Sequence, residues 1–388
     1  MKKFLGFLKN NIAAQIGLFG IIAMSAIAIF APFIANGRPL LLFQNGVLTS
    51  PALYFFFSPD TTEATIEKAF NYIGLILIII PFFYLIKRKL LSKNAKFAKI
   101  LFVIILIISA IPFLFLNKKL ERQDWRIKTA ELANNEFVIF APIKYSPNEN
   151  IATPFLKPNL EHYLGTDQIG RSVAARMVTG ARISLAVGFA ATAITMIIGI
   201  IVGMCAGYFG GKTDMLLMRI VEIIICFPTF LLLLILMAIM MDYNFKQSIL
   251  IVILVIGLTG WTGLSRLVRG EVLKQRGMQY IQSCKVLAIP TWRIMLYHLF
   301  PNITAPIFVY FIFGVAGAIL AESGLSFLGF GIQIPTASWG ELLRQAFNDP
   351  FNYWHLMVAP GIMILFTVLC FNFTGESLRT YFDPKSKS

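Results

Sequence analysis

The chain has 388 residues, of which 57% are hydrophobic and only 14% charged, with 36 Phe. Soluble proteins carry about 25% charged residues, and so few charges cannot cover a water-exposed surface of this size, so the chain is read as an integral membrane protein and collagen and disorder are excluded. Its net charge of +15 would suggest nucleic acid in a soluble domain; beside a membrane it reads as a sidedness signal, and no nucleic-acid partner is expected. Four cysteines cannot build a disulfide framework, and Cys205, Cys226 and Cys370 fall inside apolar runs.

A helix needs about 20 apolar residues to cross the hydrocarbon layer. Charge-free intervals bounded by charges run over 10–37, 69–86, 100–117, 183–211, 223–241, 247–265, 294–321 and 350–375. They predict eight spans. The first is too long for the apolar region of a cleaved signal peptide and lacks a small-residue cleavage site. Eight spans put both termini on one side. With that side cytoplasmic, 20 of the 34 basic residues lie inside against five acids, and the outside is balanced. Both ends are therefore expected in the cytoplasm of a multi-pass protein. The long loop 118–182 is expected to be external.

Two zones differ in character. Residues 1–160 hold the first span, two short spans about a basic turn, and a polar segment rich in Asn, Pro and Glu. Residues 161–388 hold five spans joined by compact loops dense in Gly and Pro. Gly199, Gly203 and Gly207 recur every four residues, a stripe that lets membrane helices approach closely; packing is the expected use.

Catalytic and metal chemistry find little support. Gly207 to Thr213 (GYFGGKT) resembles a phosphate-binding loop, but it has three residues where the motif needs four and follows a membrane helix rather than a strand. Any ATP must then be hydrolysed by a partner, and no cofactor is expected in this chain. His162, His298 and His355 lack ligand spacing. Charges within the spans are nearly absent, with Glu222 and Glu322 at span edges. A secondary transporter would need mid-membrane ionisable groups or paired broken helices, and a membrane enzyme would need polar catalytic groups.

The stretch 266–293 is basic and joins two spans. Tyr280, Cys284 and Leu287 stand at i, i+4 and i+7, one face of a helix expected over 278–289. Pro290 disfavours helix at Ile289 and suits the first turn of the next helix. Such a short amphipathic helix either docks into a groove on a soluble partner or lies on the lipid surface, and periodicity does not choose.

The segment from Tyr280 to Asn302, with Gln282, Ser283, Cys284, Lys285, Ala288 and Trp292, resembles the cytoplasmic loop of binding-protein-dependent ABC importer permeases (E-Y-V-E-A-A-x-x-L-G). Gln282 replaces the usual Glu, Ser283-Cys284 the usual Ala-Ala, and Ala288 the usual Gly. Four further segments are similar to the dipeptide and oligopeptide branch. They are Gly165, Thr166, Asp167, Gly170 and Arg171 with Gly180 and Arg182; Gly207 to Pro228; Ser326 and Gly329 with Trp339-Gly340; and Leu378 to Pro384. Five motifs in order span 161–384 almost continuously.

The resemblance implies the second (C-type) permease subunit of a peptide importer in a bacterial inner membrane. It implies an all-α, type I importer fold: a six-span core in 161–388 and the first span, plus an extra N-terminal transmembrane hairpin within 1–160. The implied partners are a second homologous permease, two ABC ATPases that bind ATP and Mg, an extracytoplasmic solute-binding protein and membrane lipid. Residues Gln282 to Trp292 would transmit ATPase closure, and loops 118–182 and 323–353 would meet the binding protein or gate the pathway. Nickel or another solute is an alternative cargo within the same family. No cargo-contacting residue is assigned beyond the small and apolar residues of spans 183–211 and 247–265.

Overall fold

The computed structural model describes residues 7, 11–44, 46–59, 63–90, 95–115, 125–130, 136–150, 152–243 and 249–382. Asp383-Pro384 of the closing motif lie outside them, as do Lys2, Lys3, Lys9, Lys93, Lys385 and Lys387, six of the 20 basic residues counted as inside. Asn11 opens helix α1 (Ile12–Ile29), its side-chain oxygen accepting from the Ala14 N–H at 3.1 Å. The turn α2 (Ala31–Ile34), strands β1 (Leu41–Gln44) and β2 (Val47–Thr49) and α3 (Pro51–Phe57) follow. The inserted hairpin is α4 (Ala64–Leu90) and α5 (Ala95–Phe115); α6 (Trp125–Ala130) and β3 (Phe137–Ile139) lead to the core. The strands form one sheet in the order β2-β1-β3, both pairings antiparallel. This small sheet was not expected of an all-helical chain, because strands of three and four residues leave little periodicity to read.

The core comprises α7 (Val173–Phe209), α8 (Gly211–Ile225), α9 (Thr229–Asp242), α10 (Ile249–Thr259) and α11 (Trp261–Arg276). After α12 (Gln279–Val286), a helical turn at Thr291–Arg293 and a π-helical stretch at Ile294–Leu299 lead into α13 (Phe300–Phe327). The chain ends through α14 (Trp339–Gln345) and α15 (Trp354–Phe382). Pro301 lacks a backbone donor and would crowd the carbonyl one turn back. The wider π turn, in which Phe300 N–H bonds Met295 O, stands where that crowding would fall.

All eight apolar intervals fall on helices in their described parts, with three differences from the expected spans. Among the described residues six helical segments are long and apolar enough to cross a membrane, with α10 and α11 taken as one, or seven if α8 and α9 also count as one; the interval 100–117 lies on α5, whose apolar part is the shorter Leu101–Phe113. The interval 223–241 is no straight span, because α8 and α9 meet at 81° around Phe227-Pro228, where proline bars its predecessor from helical geometry. The span expected at 183 begins at Val173 instead. Arg176 and Arg182 lie inside α7 and are buried by partners rather than marking its end.

Helix directions follow from close approaches. Gly199, Gly203 and Gly207 of α7 meet Leu264, Val268 and Val272 of α11, so these two run parallel and the stripe is a packing seam. Gly17 and Gly20 of α1 meet Thr374, Cys370 and Phe366 of α15, so those run antiparallel. The start of α1 and the end of α15 thus share one end of the bundle, which also carries α12. At the opposite end, here termed the cap, the chain buries Val173, Met177, Trp339, Leu342 and Leu356 together.

Candidate functional site

The helix α12 is held by its own inward side. Ile281 is fully buried and Cys284 is 7% exposed, both packed with Val268, Val272, Ile294 and Leu299. Tyr280 Oη donates to Gln275 Oε1 at 3.0 Å and accepts from Asn302 Nδ2 at 3.3 Å, tying the loop to α11 and α13. Gln282 Nε2 donates to the Arg276 carbonyl at 3.3 Å, so its amide is used within the chain.

The end of α12 explains its outer surface. Ala288 adopts φ +51, the left-handed conformation. Ile289 N–H bonds Cys284 O and Ala288 N–H bonds Lys285 O, the paired bonds of a Schellman cap. Ile289 turns back onto the apolar cluster, and Pro290 prevents the helix resuming. The chain reversal leaves Val286 86%, Leu287 73% and Trp292 53% exposed, with Ser283, Lys285 and Ala288 also on the outside.

This corrects the expected face. Tyr280, Cys284 and Leu287 do not form one outward stripe, since Cys284 points into the bundle and the helix stops at Val286 before i+7 is reached. Ile281, the main anchor, was missed; its i, i+3 relation to Cys284 was the available signal. Burying Val286 and Leu287 against another surface would contribute about 1.5–3 kcal/mol each, which suits this rigid apolar tip to docking.

The motif residues of 165–182 and 326–340 converge at the cap. Asp167 accepts from Arg171 N at 2.9 Å and from Arg171 Nε at 2.6 Å, and Arg176 Nε lies 3.4 Å from the same carboxylate. Arg176 also donates to Glu341 at 2.6 Å and to the carbonyls of Pro147 and Pro335 at 3.2 Å. Gln345 joins by bonding Glu341 Oε1 and receiving Gln168 N–H. Two arginines thus meet two carboxylates with all four side chains buried. Burial and the neighbouring Arg176 charge pull the Arg171 guanidinium below its usual range, with Asp167 opposing.

Each remaining motif residue has a place in the same unit. Thr166 Oγ1 bridges Thr153 O and Leu156 N–H. Gly170, at φ +81, sits where a Cβ would be 2.0 Å from Ala152 O, so no other residue fits. Gly180 and Gly340 flank Trp339, whose Nε1 donates to Met177 O at 3.1 Å. Ser326 Oγ donates to Glu322 at 2.8 Å and accepts from Ile332 N–H, and Gly329 turns the chain beside Arg344. Arg182 donates to the Ala28 and Ile29 carbonyls at the C-terminus of α1 and to Asn71 of the inserted helix, a cation placed where the helix dipole is negative. Sequence reading missed Arg176, because the charge-free criterion opened the span after Arg182 and left Arg176 outside it, and it missed Glu341 and Gln345, whose partners Arg176 and Gln168 lie 165 and 177 positions away.

The Gly207–Thr213 segment is a corner between α7 and α8, with Gly210 at φ +68. Among the described residues no group of three His, Cys, Asp or Glu side chains is placed to hold a metal ion.

Among the described residues, apolar helices form a bundle fastened at one end by the buried ion pairs and presenting the short helix α12 at the other. The family described as "Binding-protein-dependent transport system inner membrane component" matches residues 197–388. The oligopeptide transport system permease protein OppC of Haemophilus influenzae is 40% identical over 233 residues, 59% of this chain and 73% of that one. The dipeptide permease DppC of Bacillus subtilis is 39% identical, covering 59% and 71%. The glutathione permease GsiD of Pectobacterium atrosepticum is 35% identical, covering 60% and 75%. The chain belongs to this family of inner-membrane transport components.

Proposed function

We infer that this protein forms half of the transmembrane pathway of a peptide importer and couples it to ATP hydrolysis in partner subunits. The observation that carries this reading is helix α12, whose exposed Val286, Leu287 and Trp292 stand on a buried apolar base of Ile281 and Cys284. A partner closing on ATP at that tip would move α11 and α13 together, a two-state element biased from a separate site. The ATPases would hold ATP and Mg, and this chain would carry no hydrolytic group. A second homologous permease would complete the pathway, and a solute-binding protein would deliver cargo at the cap. Peptide is the favoured cargo because the relatives matched are named for oligopeptides, dipeptides and glutathione. The charge bias supports a cytoplasmic position for both termini and α12.

The test is reconstitution of the chain with its second permease, both ATPases and binding protein in liposomes. Labelled tripeptide should accumulate only with ATP and all subunits present. Accumulation of nickel but no peptide would overturn the cargo assignment; accumulation without the ATPases would overturn the coupling.

A further inference from the structure

At the α12 end of the bundle, α8 and α11 diverge around a cavity of about 700 Å³, within the range of small-molecule sites. Met218, Val221 and Glu222 form one wall, and Gly263, Arg266 and Arg269 the other. Arg269 is fully engaged, both its Nε and a terminal nitrogen bonding the Asp214 carboxylate. Glu222 is paired with Arg219 at 2.8 Å but stays 60% exposed. Arg266 is different: it has no hydrogen-bond or ion-pair partner among the described residues.

Its position makes that notable. Arg266 directly follows the charge-free run 247–265 and lies on a helix that counts among the membrane spans. The side chain is exposed at the edge of that charge-free run and lines the cavity, where its charge is free to meet an anion. Gly263, one turn earlier on the same wall, puts no side chain into the space. We propose that this cleft is a cargo-contact site in which the Arg266 guanidinium receives the free carboxylate of a short peptide. The opposite wall offers the Glu222 carboxylate to the peptide's ammonium, so the cleft complements both ends of a zwitterion. Guanidinium and carboxylate match as two parallel hydrogen bonds, and in a wet cleft such a pair is weak enough to release, as passage requires. The proposal rests on the peptide-importer reading.

The experiment uses the complete reconstituted importer. Arg266→Gln should lower uptake of a free-acid tripeptide about fivefold, with subunit co-purification unchanged, while Arg266→Lys retains most uptake. A second measurement on the unmodified protein uses a tripeptide with a photoreactive C-terminal residue, which should label 218–222 or 261–269 during turnover. Undiminished free-acid uptake by Arg266→Gln would overturn the proposal. So would labelling confined to other segments, or cross-linking of position 266 only to the second permease, which would assign the cleft to the subunit interface. An unmodified importer that accumulates no peptide at all would instead sink the cargo reading on which the proposal stands.

Discussion

Arg176 and Glu341, 165 positions apart in sequence, form a buried ion pair of 2.6 Å that fastens the start of α7 to α14. Neither charge reaches water, and Asp167, Arg171 and Gln345 complete the set. The cap is therefore cooperative, and one missing partner exposes the rest to an uncompensated charge.

Glu341→Ala should destabilise the protein by about 3–5 kcal/mol, because it leaves Arg176 buried with one carboxylate fewer. Thermal unfolding of the detergent-purified chain should shift down by several degrees, and abundance in the membrane should fall. A melting temperature unchanged from the parent would show that the pair contributes nothing.

Ala288 holds a left-handed conformation that costs an L-residue about 1–2 kcal/mol. Ala288→Gly should relieve that strain, less the extra chain entropy of glycine, and raise stability by up to about 1 kcal/mol in the same melting assay. Ala288→Arg leaves the membrane helices untouched and adds bulk and charge beside Leu287. It should assemble with the second permease yet lose ATPase co-purification and uptake. Cys284→Arg should act differently: with Cys284 buried among Val268 and Val272, it should unseat α12 and lower abundance.

His162 is 4% exposed, stacked on Tyr145 at 4.6 Å, and its Nδ1 has no hydrogen-bond partner. Burial pushes its pKa below the ordinary value; Glu161 opposes and Arg126 reinforces. The unfolded chain therefore takes up a proton first as pH falls below about 6.5. Stability attributable to this group is full above that pH and is lost on acidification through the lowered folded value. His162→Phe keeps the stacking and removes the titration. Its melting temperature should fall less than the parent's between pH 7 and pH 5; parallel curves would refute the assignment.

How much of this was legible can be judged from particular residues. The apolar intervals located every long helix because hydrocarbon thickness constrains length and composition. The corner at Phe227-Pro228 was readable in principle, since proline's steric effect is local. The extent of α7 was not. Arg176 and Arg182 look like boundaries until Glu341 and the α1 carbonyls, each more than 150 positions away, are seen to neutralise them. Helix α12 failed in a similar way: periodicity extended it over 278–289, whereas the cap at Ala288 ends it at Val286. The family resemblance pointed at Ala288 by noting a usual glycine, and φ +51 supplies the reason.

Asn71 ties the inserted hairpin to the core through a buried polar joint. Asn71 of α4 accepts from Arg182 at 2.7 Å through Oδ1 and donates to Phe56 O at 2.7 Å through Nδ2, with no solvent access. Asn71→Leu removes both bonds and leaves a guanidinium nitrogen and a carbonyl short of partners, each costing about 1–3 kcal/mol. Arg182 retains the Ala28 and Ile29 carbonyls, so α1 and α7 should stay joined and the core should still fold. The loss should appear as loosening of α4 and α5 against the core. Limited proteolysis should then cut the segments flanking the hairpin, around residues 60 and 120, faster than in the parent, while the fragment from 161 onward stays intact. If both regions became equally sensitive, Asn71 would be supporting the whole bundle. If neither did, contacts other than those of Asn71 would be holding the hairpin.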